Sequence, residues 1–226
     1  MQPVILNEIE FKPSVKRLMK KLRIKKGTSH EELVLSLVEG AQQVARPKAM
    51  YTIAGIEDRD KESVVLDGIR LQSRIMSVNL TDIHRVFPNI YSAGRELYDW
   101  KQSRDDFLER FYAEEISMMA LRAAGDHLLS HLKEKFKLGK TSSMNPGSLE
   151  DWPITAQPSL FKLLGDPLEL IGVELTDTML MIPNQSVSGI RFESEQDFSS
   201  CQLCPREVCS HRRAAYDPDL MQEKYQ

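Results

Sequence analysis

Apolar positions along the chain change spacing several times, and each change predicts an element. Val15, Leu18, Met19 and Leu22 recur at helical intervals, so residues 12–26 read as an amphipathic helix. Its outer face carries Lys12, Lys16, Arg17, Lys20, Lys21, Arg23, Lys25 and Lys26 with no acidic residue between them, and Gly27 closes it. That face is either a docking surface for an acidic partner or a solvated helix surface. Thr28 and Ser29 followed by Glu31 and Glu32 make a capping box for a second helix, which buries Leu33, Leu37, Val38, Ala41 and Val44 and stops at Pro47. The run Ala49–Ala54 then reads as a strand. A polar turn at 57–62 and a short strand at Ser63–Leu66 follow, with Asp67-Gly68 as a turn. The spacing predicts a short helix over about 70–80 and a strand from Ile83 to Ser92, which Pro88 assigns to an edge or a bulge.

Gly94 opens a long helical tract, broken near Ser103, where a hydroxyl and the carboxylates of Asp105 and Asp106 suit a new helix N-terminus. The apolar pattern from Phe107 runs to about Lys137, with Gly139 as its stop. Ala120, Ala123, Ala124 and Gly125 make a waist of small residues that lets a backbone or a ligand come close. The connector from Lys140 to Pro158 contains three prolines and is long for a compact domain, which hints at function. A short helix (Ser159–Leu164) and two β segments follow. The latter, Asp177–Ile182 and Val187–Glu193, are joined by Pro183-Asn184-Gln185. The tail from Gln196 is polar and is expected to depend on whatever its cysteines hold.

Composition narrows the classes. The 226 residues are 41% apolar and 28% charged, ample for a hydrophobic core. A net charge of −3 offers no global attraction to nucleic acid or a membrane, and neither partner is expected. With no long apolar run and no leader-like segment, the expected location is cytoplasmic. The three cysteines all lie between Cys201 and Cys209. Cys201-x2-Cys204-x4-Cys209-x-His211 supplies three thiolates and an imidazole, which suits either a tetrahedral zinc site or an iron–sulfur cluster. His127 and His131 have metal-pair spacing on a helix but no third ligand, so they read as surface histidines.

The block from Gly172 through Met181-Ile182-Pro183-Asn184-Gln185-Ser186-Val187-Ser188 to Gly189 resembles the core of the activation domain of cobalamin-dependent methionine synthase. The Asn145-Pro146-Gly147 loop, the Gln157–Leu164 helix and the long helix carrying Asp126 stand in that family's order. The likeness is greater to the stand-alone relatives of the domain, and it covers residues 11–195. It implies a single α+β domain over 1–195, with a twisted antiparallel sheet bordered by helices, followed by a cysteine-containing tail over 196–226. It also implies support for the reductive reactivation and methylation of a corrinoid (cobalamin) cofactor. That corrinoid would be carried by a corrinoid-binding protein or a cobalamin-dependent methyltransferase, with S-adenosylmethionine as methyl donor and an electron-donor protein as further partner.

The resemblance places Asp126, Asn145, Pro146, Gly147, Ser148, Ser186, Ser188, Gly189 and Arg191 on the cofactor face. The family's Arg-x-x-x-Gly-Tyr loop departs here: Ser143 stands for the arginine and Ser148 for the tyrosine, and Ile190-Arg191 replace an aromatic pair. Serine cannot reproduce the bidentate fork of a guanidinium or the area of a ring, so the departures imply either altered ligand recognition or a purely corrinoid-directed role. Asp126 is either the anion facing a sulfonium or a solvent-facing residue beside His127. The second function class is a non-catalytic interaction or electron-delivery module built on the cysteine cluster.

Overall fold

The strand β6 (Arg85–Ser92) is the axis of the structure, a computed structural model that describes residues 2–194, 198–209 and 212–225. On one flank it pairs antiparallel with β2 (Lys48–Tyr51) and then, in the same register, with β3 (Ala54–Arg59). On the other flank it pairs with β10 (Ser186–Glu193), which pairs in turn with β7 (Thr141–Met144). β1 (Val4–Leu6) extends the sheet beyond β2, while β4 (Ser63–Leu66) and β5 (Ile69–Gln72) extend it beyond β3. β8 (Glu174–Leu175) and β9 (Met181–Ile182) form a separate small ladder.

Pro88 therefore lies in a central strand, not at an edge as its chemistry suggests. The continuous β2–β3 register puts Thr52 opposite it, where Thr52 N–H donates to Pro88 O at 3.0 Å. Proline has no N–H to return that bond, so the ladder is interrupted at this pair and the predicted strand 49–54 divides into β2 and β3. The helix expected over 70–80 also divides. Asp67 (φ 44°) and Gly68 (φ 78°) make a two-residue turn with both residues left-handed, which closes a β4–β5 hairpin before α3 (Arg74–Asn79) begins at its Ser73 cap. The first helix, α1 (Val15–Leu22), is shorter than expected. Arg23 turns left-handed at φ 56° and its N–H bonds back to Lys20 O, ending the helix before Gly27.

Odd-numbered residues of β6 and β10 face one side of the sheet and even-numbered ones the other. The odd side is covered by α2 (Ser29–Val44), α4 (Arg95–Gln102) and α5 (Phe107–Phe136). Tyr51 and Phe87 meet Ala124, Leu128 and Leu132 there, while Ile116 and Ala120 pack with Val34, Leu37 and Ala41 of α2. Thirty helical residues make α5 about 45 Å long. Buried Tyr112, Ile116, Ala120, Ala124, Leu128 and Leu132 recur every fourth residue, a row that winds slowly around the helix. The first half of α5 thereby faces α2 and the second half faces the sheet. The even side carries the larger core, in which Met50, Ile90, Ile190 and Phe192 pack with Trp152, Leu160 and Leu164. α6 (Gln157–Leu164) and α7 (Pro167–Ile171) lie on this side, together with α3 and α8 (Leu220–Tyr225). Phe198 and Tyr225 sit in the same core, so buried aromatic rings hold the tail to the domain at both ends. Among the described residues no helix is long and apolar enough to cross a membrane.

Candidate functional site

The long connector is less irregular than its prolines suggest, because its start is β7. From β7 the chain enters a turn in which Ser148 N–H donates to Asn145 O at 3.1 Å, with Pro146 second and Gly147 third at φ 79°. Proline followed by a left-handed glycine is the signature of a type II turn. Continuing the β7–β10 register puts Asn145 opposite Gly189. Asn145 Nδ2 donates to Ser188 O at 2.8 Å and lies where a Gly189 side chain would begin. A Cβ on Gly189 would fall 2.5 Å from Met144 O and closer still to that amide nitrogen, so only glycine admits this crossing.

The expected site residues divide between the two faces of the sheet. Arg191, Gly189 and the Asn145 amide share the odd face with Tyr91, whose ring packs against Gly125 at the α5 waist. A Cβ on Gly125 would stand 2.9 Å from that ring, so the small-residue waist is used by Tyr91. Asp126, the next residue, is exposed. Ser186 and Ser188 point to the opposite face. Ser186 Oγ donates to Ser92 Oγ at 2.8 Å, and Ser188 Oγ accepts from Gln157 Nε2 at 3.1 Å. They are ladder-fixing hydroxyls inside the even-side core. Pro146 is buried, while Gly147 and Ser148 are exposed on the rim of a cavity of about 430 Å³. That cavity runs between the connector and the tail, with Leu149, Leu203, Cys204 and Tyr216 among its walls. Asp151 fixes the connector beside it by accepting from Ser73 Oγ and from the N–H groups of Arg74 and Ile75, both at 3.1 Å.

Arg191 is the most unusual of these residues. In the β10–β7 ladder its direct partner is Ser143. Residues opposite one another in an antiparallel pair project to the same face with Cβ atoms about 5 Å apart. The guanidinium donates from Nη1 to Thr141 Oγ1 at 3.3 Å, whereas its buried Nε has no hydrogen-bond partner. No carboxylate pairs with it among the described residues. Burial lowers its pKa, Tyr91 opposes that, and the charge of Arg213 adds to it. Burial pushes the Tyr91 phenol up, against the pull of Arg191 and Arg213 and with a contribution from Asp126. Tyr91 thus senses the charges of Arg191, Arg213 and Asp126, and Arg191 senses that of Arg213.

The cysteines do not come together as expected. Among the described residues no three His, Cys, Asp or Glu side chains gather into a group able to hold a metal ion, so Cys201, Cys204 and Cys209 are separate free thiols there. His211 lies outside the described residues. Their segment is ordered by other means. Ser199 and Gln202 form a capping box, Arg212 donates to the carbonyls of Cys201 and Cys204 at 3.2 and 3.4 Å, and Arg213 N–H donates to Cys201 Sγ at 3.4 Å. The fit needed for zinc or an iron–sulfur cluster is therefore not met by the described thiols. The His127/His131 pair is not a metal pair either. His127 is exposed, while His131 Nε2 is 3.1 Å from the Tyr51 hydroxyl.

Two contributors escaped the sequence reading. Tyr91 carries no motif, and only its register opposite Val187 places it on the same face as Arg191. Lys101 is 5% exposed, and its ammonium donates to Glu114 (2.7 Å), Asn184 (3.0 Å) and Gln185 (2.9 Å). This knot joins α4, α5 and the turn into β10. It fixes where β10 enters the sheet.

No protein-family model matches this chain, and no curated protein matches it in sequence. Solved structures do match. One is a crystal structure of the MetH reactivation domain bound to AdoHcy, similar with a TM-score of 0.59 and 12% identity over 88% of this chain and 81% of that one. At that identity the likeness is one of fold: an α+β domain with an antiparallel sheet and one long helix.

Proposed function

We propose that this chain supports the reductive reactivation and methylation of a corrinoid cofactor held by a partner methyltransferase or corrinoid protein, and that the odd face beside α5 receives an S-adenosylmethionine-type ligand. The carrying observation is the placement of Arg191 directly across the ladder from Ser143. On this reading the arginine that the related loop carries at Ser143 is replaced by one from the neighbouring strand, on the same face and two residues before the turn. A buried guanidinium nitrogen with no internal partner is the feature expected where a ligand carboxylate belongs. Tyr91, held against Gly125, offers near that position the ring that Ser148 lacks. The Asn145 amide lies across Gly189 and bounds the surface at the turn.

When bound, S-adenosylmethionine supplies a methyl group to the partner's cobalt. The roles assigned to this chain are binding and orientation. Arg191 holds the ligand's anionic end, Tyr91 lies against its apolar part, and exposed Asp126, in no ion pair among the described residues, provides a negative charge near a sulfonium. The corrinoid belongs to the partner, and the described thiols are given no step in the reaction.

The test is to combine the purified chain with cobalamin-dependent methionine synthase lacking its own reactivation domain. Its cobalamin starts in the cobalt(II) state, with S-adenosylmethionine and a flavodoxin-type reductant present. Formation of methylcobalamin, followed in the visible spectrum, is expected only when the chain is added and is expected to fall with Arg191→Gln. Equal formation with and without the chain would overturn the reading.

A further inference from the structure

Arg191 does not stand alone on its face. Ser143, its ladder partner, is bridged on its other side in parallel to Ser199, which extends the sheet by one residue into the C-terminal tail. Ser199 Oγ accepts from Cys201 N–H at 3.3 Å, and Cys201 Sγ accepts from Arg213 N–H at 3.4 Å. This sequence of contacts, Arg191 to Ser143 to Ser199 to Cys201 to Arg213, brings a tail arginine to the edge of the face. Arg213 is exposed, and no carboxylate pairs with it among the described residues. Arg212, its neighbour, is committed to backbone carbonyls and is not available in the same way.

The charges of Arg191 and Arg213 oppose each other, no carboxylate forms an ion pair with either among the described residues, and the half-buried Arg191 has an orphaned nitrogen. An oxyanion between them would remove both costs, because a carboxylate can accept from two forks at once. From this geometry we infer that the C-terminal tail completes the ligand site, with Arg213 and Arg191 jointly holding an oxyanion, in the first instance the carboxylate of the ligand proposed above. The inference rests on that reading for the ligand's identity. It does not rest on it for the two-arginine site.

The consequence is specific to this chain. The tail, attached through Phe198 and Tyr225, is part of the recognition surface and not an appendage.

The test uses calorimetric titration of the full chain with S-adenosylhomocysteine. Arg213→Gln is expected to weaken binding roughly tenfold, the loss of one charge-assisted contact. Arg213→Lys, which keeps the charge but not the fork, is expected to recover only part of it, and Arg206→Gln, at an exposed arginine in the same tail, to change nothing. Binding by Arg213→Gln at wild-type strength would overturn the inference while leaving the proposed function standing. If the wild type does not bind S-adenosylhomocysteine, the probe becomes inorganic phosphate, followed through the Nε–H signals of Arg191 and Arg213 in a nitrogen–proton NMR spectrum. Movement of both signals then keeps the two-arginine site and rejects the ligand. Movement of neither rejects both.

Discussion

The Lys101 ammonium lies 2.7 Å from a Glu114 carboxylate oxygen, and the pair joins α4 to α5. Lys101 is buried, Glu114 is partly open to solvent, and Gln185 bonds to both. Removing the charge leaves a half-buried carboxylate and two amide oxygens without their donor. Lys101→Met is therefore expected to cost about 2–3 kcal/mol in urea unfolding, and Glu114→Gln about half that. An unchanged midpoint for Lys101→Met would show that the knot is not structural.

Gly189 tests the crossing of the turn over β10. With Met144 O 2.5 Å from the position of a new Cβ, and Asn145 in the way, Gly189→Ala must push the turn off the strand. The expected loss is about 1–3 kcal/mol, seen as a lower Tm, with weaker ligand binding as the Asn145 amide moves. Gly147→Ala meets a milder obstacle at Ile154 but a left-handed backbone, and is expected to cost about 1 kcal/mol.

Much of this architecture was legible beforehand, for identifiable reasons. Thr28 caps the second helix as read, its hydroxyl accepting from Glu31 N–H, because capping chemistry is local. The break after Gln102 and the 30-residue helix that follows were carried by a long apolar period. What local pattern cannot hold is the neighbour across a sheet. Pro88 looked like an edge residue because its N–H is missing, yet the structure places the defect opposite Thr52 at a junction between two strands. Ser186 and Ser188 were grouped with Gly189 and Arg191 by proximity in sequence, although alternate residues of a strand face opposite ways. Arg191 itself was visible, but its place opposite Ser143 depends on register alone. The cysteine spacing suggested a ligand set, whereas the tail is ordered by Arg212, a capping box and two buried rings.

Tyr225 ties the tail to a pH dependence. Burial pushes its phenol up to about 12, with the hydrogen bond to Asn79 at 2.9 Å acting in the other direction. The folded state thus keeps its proton after the unfolded chain, near 10, has lost it. This contribution to stability is complete below about pH 10 and is lost as pH rises from there toward about 12, a decline on the order of 2 kcal/mol. Thermal unfolding across pH 9–11.5 is expected to show that fall, and Tyr225→Phe to flatten it. A parallel fall in the variant would assign the effect elsewhere.

Cys201 differs from the other two cysteines. Burial raises its pKa, but the N–H groups of Arg213 and Ala214, the Ser199 hydroxyl and the Arg213 charge outweigh that, leaving the thiol below its ordinary range. Near neutral pH, limiting iodoacetamide is expected to label Cys201 ahead of Cys204 and Cys209, read by peptide mass spectrometry. Uniform labelling, or protection of all three until a chelator is added, would contradict the arrangement of separate thiols.

The central claim is that Arg191, presented from the strand opposite Ser143, grips a ligand's carboxylate. Calorimetric titration of S-adenosylhomocysteine into the wild-type chain and into Arg191→Gln measures it most directly. Saturable binding by the wild type that weakens roughly ten- to a hundredfold in the variant is the predicted result. Equal affinity in the two proteins, or none in the wild type, would contradict it.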